Sequence, residues 1–188
     1  MPRMQVTGGK KRPATTVNRR AKDTFPPSLQ DAFNDPENCS LDPVAKMALS
    51  DDRHEYSWAL HLLRNMYEFD REEAGVFLVG HFAHCGNDWE KRMAIVNVLY
   101  HVQTAPCVRL LFGELRRVKN TNSTRRYLRE LISVLRDMPP KLVRPGFEAL
   151  AEDKSFTNRA RMKFQHVLDY LDYQDWRDET LPRYRRSS

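Results

Sequence analysis

The chain has 188 residues, a net charge of +6, 40% hydrophobic residues and only 7 Gly. That length holds one domain with a substantial core, and no apolar run is long enough to cross a bilayer or to open the chain as a secretory signal. The three cysteines, Cys39, Cys85 and Cys107, are widely spaced, which argues against a disulfide framework and for a reducing intracellular compartment, the cytoplasm before the nucleus or an organelle.

Residues 1–38 read as a disordered basic tail, with seven basic and four acidic groups and no hydrophobic periodicity. Such a segment buries too little apolar surface to offset the entropy of ordering it. Its "KKRP" and "RRAK" clusters fit an ordinary solvated tail, with an electrostatic arm for nucleic acid or a transport address as the alternatives. A short helix opened by Pro43 leads into the body over residues 42–48.

From there to residue 175 the chain reads as helix after helix, with no strand alternation. Asp52 caps a helix whose buried face is Ala59, Leu62, Leu63 and Met66. A second helix runs from about Arg71 to His84, with Asp70 and Glu73 spaced as a capping box. It ends in "VGHFAHCGND", residues 79–88, which gathers the zinc-binding residue types His81, His84, Cys85 and Asp88. A zinc site needs three or four ligands, and nothing in the spacing supplies the rest. A helix end accounts for the same residues: Cys85 as a small apolar group, Gly86 as terminator, Asn87 or Asp88 as the next cap.

The next helix carries Ile95, Val98, Leu99 and Val102. Thr104 and Pro106 open another, over about residues 105–118. After the connector "KNTNST", Thr124 precedes a helix with Leu131, Val134, Leu135 and Met138. Pro139 and Pro140 open a helix to about Glu152, in which Pro145 should force a kink or restart. Thr157 precedes the last helix, with Phe164, Val167, Leu168 and Leu171. Its end, "LDYLDYQDW", sets Asp169, Asp172 and Asp175 beside an aromatic strip, as an outer cap or a docking edge. Residues 176–188 read as a basic, fraying tail.

The four stripes recur at offsets of 36, 36 and 33 residues, each with its capping position ten residues before the central pair. Gly80, Gly113 and Gly146 recur at 33 in the intervening helices, a spacing that suggests close helix approach. Helical pairs repeating at this period indicate a short α-solenoid. The alternative is a plain helical bundle. "DWEKRMAIVNVL" (88–99), with Asp88, Arg92, Ala94 and the Val98-Leu99 pair, resembles the HEAT-like repeat family. "TNRARMKFQHVL" (157–168) is similar, with Arg161, whereas the copies at 52–63 and 124–135 lack that Arg. The resemblance covers about residues 50–172 and implies an all-α solenoid of antiparallel helix pairs, a fold that commonly holds partners.

Charge is banded along the body. Residues 39–108 carry six basic and ten acidic groups, residues 109–144 ten and three, and residues 145–175 four and six. The basic band holds Arg109, Arg116, Arg117, Lys119, Arg125, Arg126, Arg129 and Arg136. Arg116, Arg117, Lys119, Arg125 and Arg126 are expected to cluster around the connector. Last-turn cations complement the helix dipole and solvated charges are ordinary, yet so many with so few acids make a candidate anion-binding patch. No nucleophile–base pair, P-loop or dinucleotide fingerprint occurs. The expectation is a non-enzymatic scaffold, without cofactor or metal, that binds a protein partner through an acidic surface. The alternative is nucleic-acid binding. Some HEAT-like proteins are DNA glycosylases, and a site of that kind here has only Trp58, Trp89, Asp88 and Glu90 to draw on.

Overall fold

A computed structural model describes residues 33–180. Among the described residues eight helices and no strand are defined: α1 Leu41–Ala48, α2 Arg53–Glu68, α3 Glu72–His84, α4 Trp89–Leu99, α5 Ala105–Arg117, α6 Arg125–Arg136, α7 Pro140–Glu152 and α8 Asn158–Thr180. No described helix is long and apolar enough to cross a membrane. Most of the expected basic tail, residues 1–32, and residues 181–188 of the C-terminal tail lie outside the described residues.

Side-chain caps set four of the eight described helix starts. Asp52 accepts hydrogen bonds from the backbone N–H groups of His54 and Glu55, and Asp88 accepts from those of Glu90 and Lys91. Thr104 does the same for Cys107, and Thr157 for Ala160. Each satisfies donors that the first turn leaves unpaired. Gly86, at φ +66°, ends the segment after α3, a backbone state that glycine adopts without strain.

The four apolar stripes are all interior: none of their sixteen residues is more than 7% exposed. They belong to one continuous core running from Val44 in α1 to Leu171 in α8. α2 packs on α1, α3 and α4; α4 packs on α3 and α6; α6 packs on α5 and α7; and α7 packs on α5 and α8. An aromatic column braces the C-terminal half. Phe112 of α5 meets Phe147 of α7 edge to face at 5.1 Å, Phe147 approaches Phe164 of α8 at 6.4 Å, and Phe156 abuts Phe164 at 5.4 Å.

Several local expectations are overturned. Asp70 makes no capping box; it stands at φ +62°, where the chain turns sharply so that the Arg71 N–H reaches the Met66 carbonyl, and Glu73 is bound instead by the Arg71 guanidinium. Arg71 also donates to the carbonyls of Pro36, Glu37 and Cys39, tying the segment before α1 to the start of α3. Of the two outcomes expected at Pro145, the restart is the one overturned: α7 runs through it as one helix. Of the three spaced glycines only Gly146 sits against a neighbour, the Phe112 ring, while Gly80 and Gly113 face open space. Gly75, outside that spacing, is covered by the Tyr67 ring at 2.6 Å from where a Cβ would stand. Thr124 does not cap α6: its hydroxyl donates to the Lys119 carbonyl at 2.6 Å and accepts from the Thr121 N–H at 2.9 Å, closing the connector on itself. α8 continues past the expected fraying point to Thr180, with Trp176 55% exposed.

Candidate anion-binding groove

The groove lies between α6 and the start of α8 and has a volume of about 450 Å³. One face of α6 supplies Arg125, Leu128, Arg129 and Ile132, spaced so that helical periodicity brings them to the same side. The first turns of α8 supply Arg159, Ala160, Lys163 and Phe164 opposite them. The end of α5 adds Leu115 and Arg116, followed by Val118 and Lys119. Six cations therefore line the groove, and no carboxylate does. All six are exposed. Lys119, Arg129, Arg159 and Lys163 make no ion pair among the described residues. Arg116 stands 4.0 Å from Asp153, and Arg125 donates to the Asn122 side-chain carbonyl at 2.9 Å.

The floor is apolar. Phe156 and Phe164 form its aromatic part, held by their edge-to-face contact. Leu128, Ile132, Phe156 and Ala160 are only half-buried, so apolar surface stays open between the charged walls. The self-bonded connector fixes the distance between Lys119 and Arg125. Thr124, whose hydroxyl closes that connector, is 5% exposed.

A buried polar network lies one turn from the groove. Arg92 of α4 donates to Glu114 of α5 through Nε at 2.9 Å and through Nη2 at 2.8 Å, and also to the Gly86 carbonyl at 2.6 Å. The Tyr127 hydroxyl of α6 donates to the same carboxylate at 2.9 Å, and Arg117 donates to both of its oxygens. Arg92 and Glu114 are 4% and 5% exposed. Burial alone would raise the Glu114 carboxyl, but hydrogen bonds from Arg117 and Tyr127 and the charge of Arg92 outweigh it and hold the carboxyl below its ordinary value. The network pins α4, α5 and α6 together and is saturated with donors, so it acts as a brace.

The structure divides the eight residues of the basic band. Arg116, Lys119, Arg125 and Arg129 share the groove. Arg117 is turned to Glu114 and to Asn87, at 3.3 Å. Arg126 faces Glu90 at 3.6 Å, in a depression of mixed charge that also holds Asp51, Asp88 and Glu130. Arg109 lies in a shallow hollow with Arg92 and Arg117. Arg136 binds Asp137 at 2.8 Å and lies over the Tyr170 ring at 5.0 Å. The sequence reading missed Arg159 and Lys163. They fall in a segment whose net charge is negative: Glu148 and Glu152 lie in α7 and Asp169, Asp172 and Asp175 farther along α8, while Asp153 stands beside Arg116. The usable signal was their four-residue spacing at the start of a helix.

His81 stacks on Phe77 at 5.8 Å, and burial, reinforced by the charge of Lys91, lowers its pKa. Burial raises the Cys85 thiol. Among the described residues no three of His, Cys, Asp and Glu gather as metal ligands. Trp89 packs on Tyr127 at 5.3 Å, while the Asp88 carboxylate is occupied by the α4 N-terminus. No protein-family model matches the chain, and no curated protein or solved structure does.

Proposed function

We propose that the chain is a short HEAT-like α-solenoid of antiparallel helix pairs, non-enzymatic, whose work is to hold a protein partner by an acidic surface. The architectural part is supported by the four stripes, interior at matching phase, and by the contacts of α2 with α4 and α4 with α6 along one row and α5 with α7 along another. The observation that carries the function is a groove walled by six cations with no carboxylate among them. In such a cleft the cations repel one another, and an anionic occupant relieves that repulsion while gaining attraction from both walls.

The test is fluorescence anisotropy with labelled polyglutamate, on the full chain. Replacing Arg125, Arg129 and Lys163 together by Glu should weaken binding at least about tenfold, roughly 1.4 kcal/mol. Replacing the exposed Lys46, Arg109 and Lys141 by Glu makes the same change in net charge outside the groove and should have a much smaller effect. Far-ultraviolet circular dichroism should be unchanged in both. Equal losses in the two triples would mean that net charge alone attracts the anion and that the groove has no special part.

A further inference from the structure

The groove is more than a positive patch, and its second property narrows the occupant. Between the charged walls lies open apolar floor, with Leu128 and Ile132 on one side, Ala160 on the other and Phe156 in the loop before α8, all half-buried. A phosphate backbone has nothing to place on such a floor. Single-stranded nucleic acid needs free aromatic faces for its bases to stack on, and the groove's two aromatics, Phe156 and Phe164, are packed against each other. The walls are regular as well. Arg125 and Arg129 stand four residues apart on α6, and Arg159 and Lys163 stand four apart on α8. Each wall thus repeats its charge about every 6 Å, one helical turn. From Arg125 to Ile132 the α6 face extends about 10 Å, or two turns.

We infer that the groove receives an amphipathic acidic helix of a partner protein, whose apolar stripe seats on Leu128, Ile132, Phe156 and Ala160 while carboxylates on its two flanks, one turn apart, meet Arg125 and Arg129 on one wall and Arg159 and Lys163 on the other. The inference rests on the anion-binding reading above and adds the form and chemistry of the occupant. Docking of this kind takes affinity from apolar burial and orientation from charge. The floor is open, and Arg125, Arg129, Arg159 and Lys163 make no ion pair among the described residues, because their counterparts reside on the partner. The groove is built to select a sequence in which acidic and apolar residues alternate with the helical period, not merely an acidic one.

Three labelled probes separate the outcomes on the full chain: an amphipathic peptide of about 16 residues with Leu at positions i, i+3, i+4 and i+7 and Glu on both flanks, a scrambled peptide of the same composition, and single-stranded DNA of about 12 nucleotides. The amphipathic peptide should bind at least about tenfold more tightly than the scramble. Leu128→Gln with Ile132→Gln should erase that preference while leaving the scramble's weak affinity in place. Both positions are half-buried, and a matching thermal melt establishes that the double variant is folded. If the amphipathic and scrambled peptides bind wild type equally, the helical occupant is wrong and the anion-binding reading stands. If neither peptide binds at low salt, both readings fail. Tighter binding of the DNA than of either peptide overturns the inference in favour of a phosphate ligand. Self-association that rises with concentration and is lost in the Leu128→Gln, Ile132→Gln variant overturns it in favour of a second copy of this chain, whose α8 carries Asp169, Asp172 and Asp175 beside exposed Tyr173 and Trp176.

Discussion

Glu114 illustrates how one residue ties the body together. Its carboxylate receives Arg92, Arg117 and Tyr127 in a nearly sealed site, so removing it leaves a buried guanidinium without its counter-charge. Glu114→Ala should cost about 3–5 kcal/mol in urea unfolding, whereas Arg92→Met and Glu114→Leu combined with Tyr127→Phe should recover most of that loss, because the apolar set leaves no buried charge or hydroxyl stranded. The same group makes stability depend on pH. Its folded pKa is below the ordinary 4.5, so its contribution is fully present above 4.5 and is lost as pH falls from there through the depressed folded value. Urea midpoints measured from about pH 6 down to about pH 3 should fall more steeply for wild type than for Glu114→Gln. Cys107 belongs to the same scale: fully buried, its thiol pushed up to about 12 by desolvation, it should resist a thiol reagent in the native state and react only on unfolding.

Single elements are decided by what each meets. Gly113 and Gly146 are both helical glycines, but a Cβ at Gly146 runs into the Phe112 ring and a Cβ at Gly113 meets nothing. Gly113→Ala should therefore stabilise by about 0.5–1 kcal/mol through helix propensity. Gly146→Ala should destabilise by about 1–3 kcal/mol, because Phe112 is wedged between α5 and α7 and has little room to give. Thermal melts of the two single variants, shifting in opposite directions, check this; shifts of the same sign would show that α7 can move away from α5. α8 follows a similar logic. Its outer half stays helical because Arg144 of α7 reaches Asp172 and Asp175, at 2.5 and 2.7 Å, and Arg136 covers Tyr170. From the sequence residues 176–188 read as the fraying end, and of these 176–180 belong to the helix.

Across the whole molecule the core is continuous, so no helix has a private hydrophobic cluster to fall back on. Unfolding followed by far-ultraviolet circular dichroism should therefore coincide, in a Trp176→Phe background, with unfolding followed by the fluorescence of Trp58 and Trp89, which sit in the N-terminal half. A separate early transition in the tryptophan signal would mean that α2–α4 opens before α5–α8. Charge acts at this scale as well. The basic groove depends on α5, α6 and α8 being held in place together, so variants that loosen the Phe112–Phe147–Phe164 column should lose affinity for an acidic ligand before they lose helicity.

Helix content, the positions of the buried stripes and the starts at Asp52, Asp88, Thr104 and Thr157 were legible in the residue order. Each depends on neighbours within a turn or two, where spacing and side-chain chemistry act directly. The same holds for Gly86 and the end of α3. What the order of residues did not contain was direction. Eight cations of one band pointed in several directions once the helices were set, four of them to the groove and the rest to Glu114, Glu90, Asp137 or, for Arg109, the hollow beside Arg92 and Arg117. Arg159 and Lys163 joined from a segment with a net negative charge. Whether a cation is free or paired depends on which helix lies across from it, and a groove exists only where two distant helices stop short of touching. Those distances are set by core packing between residues far apart in the chain, and only the tertiary structure decides them.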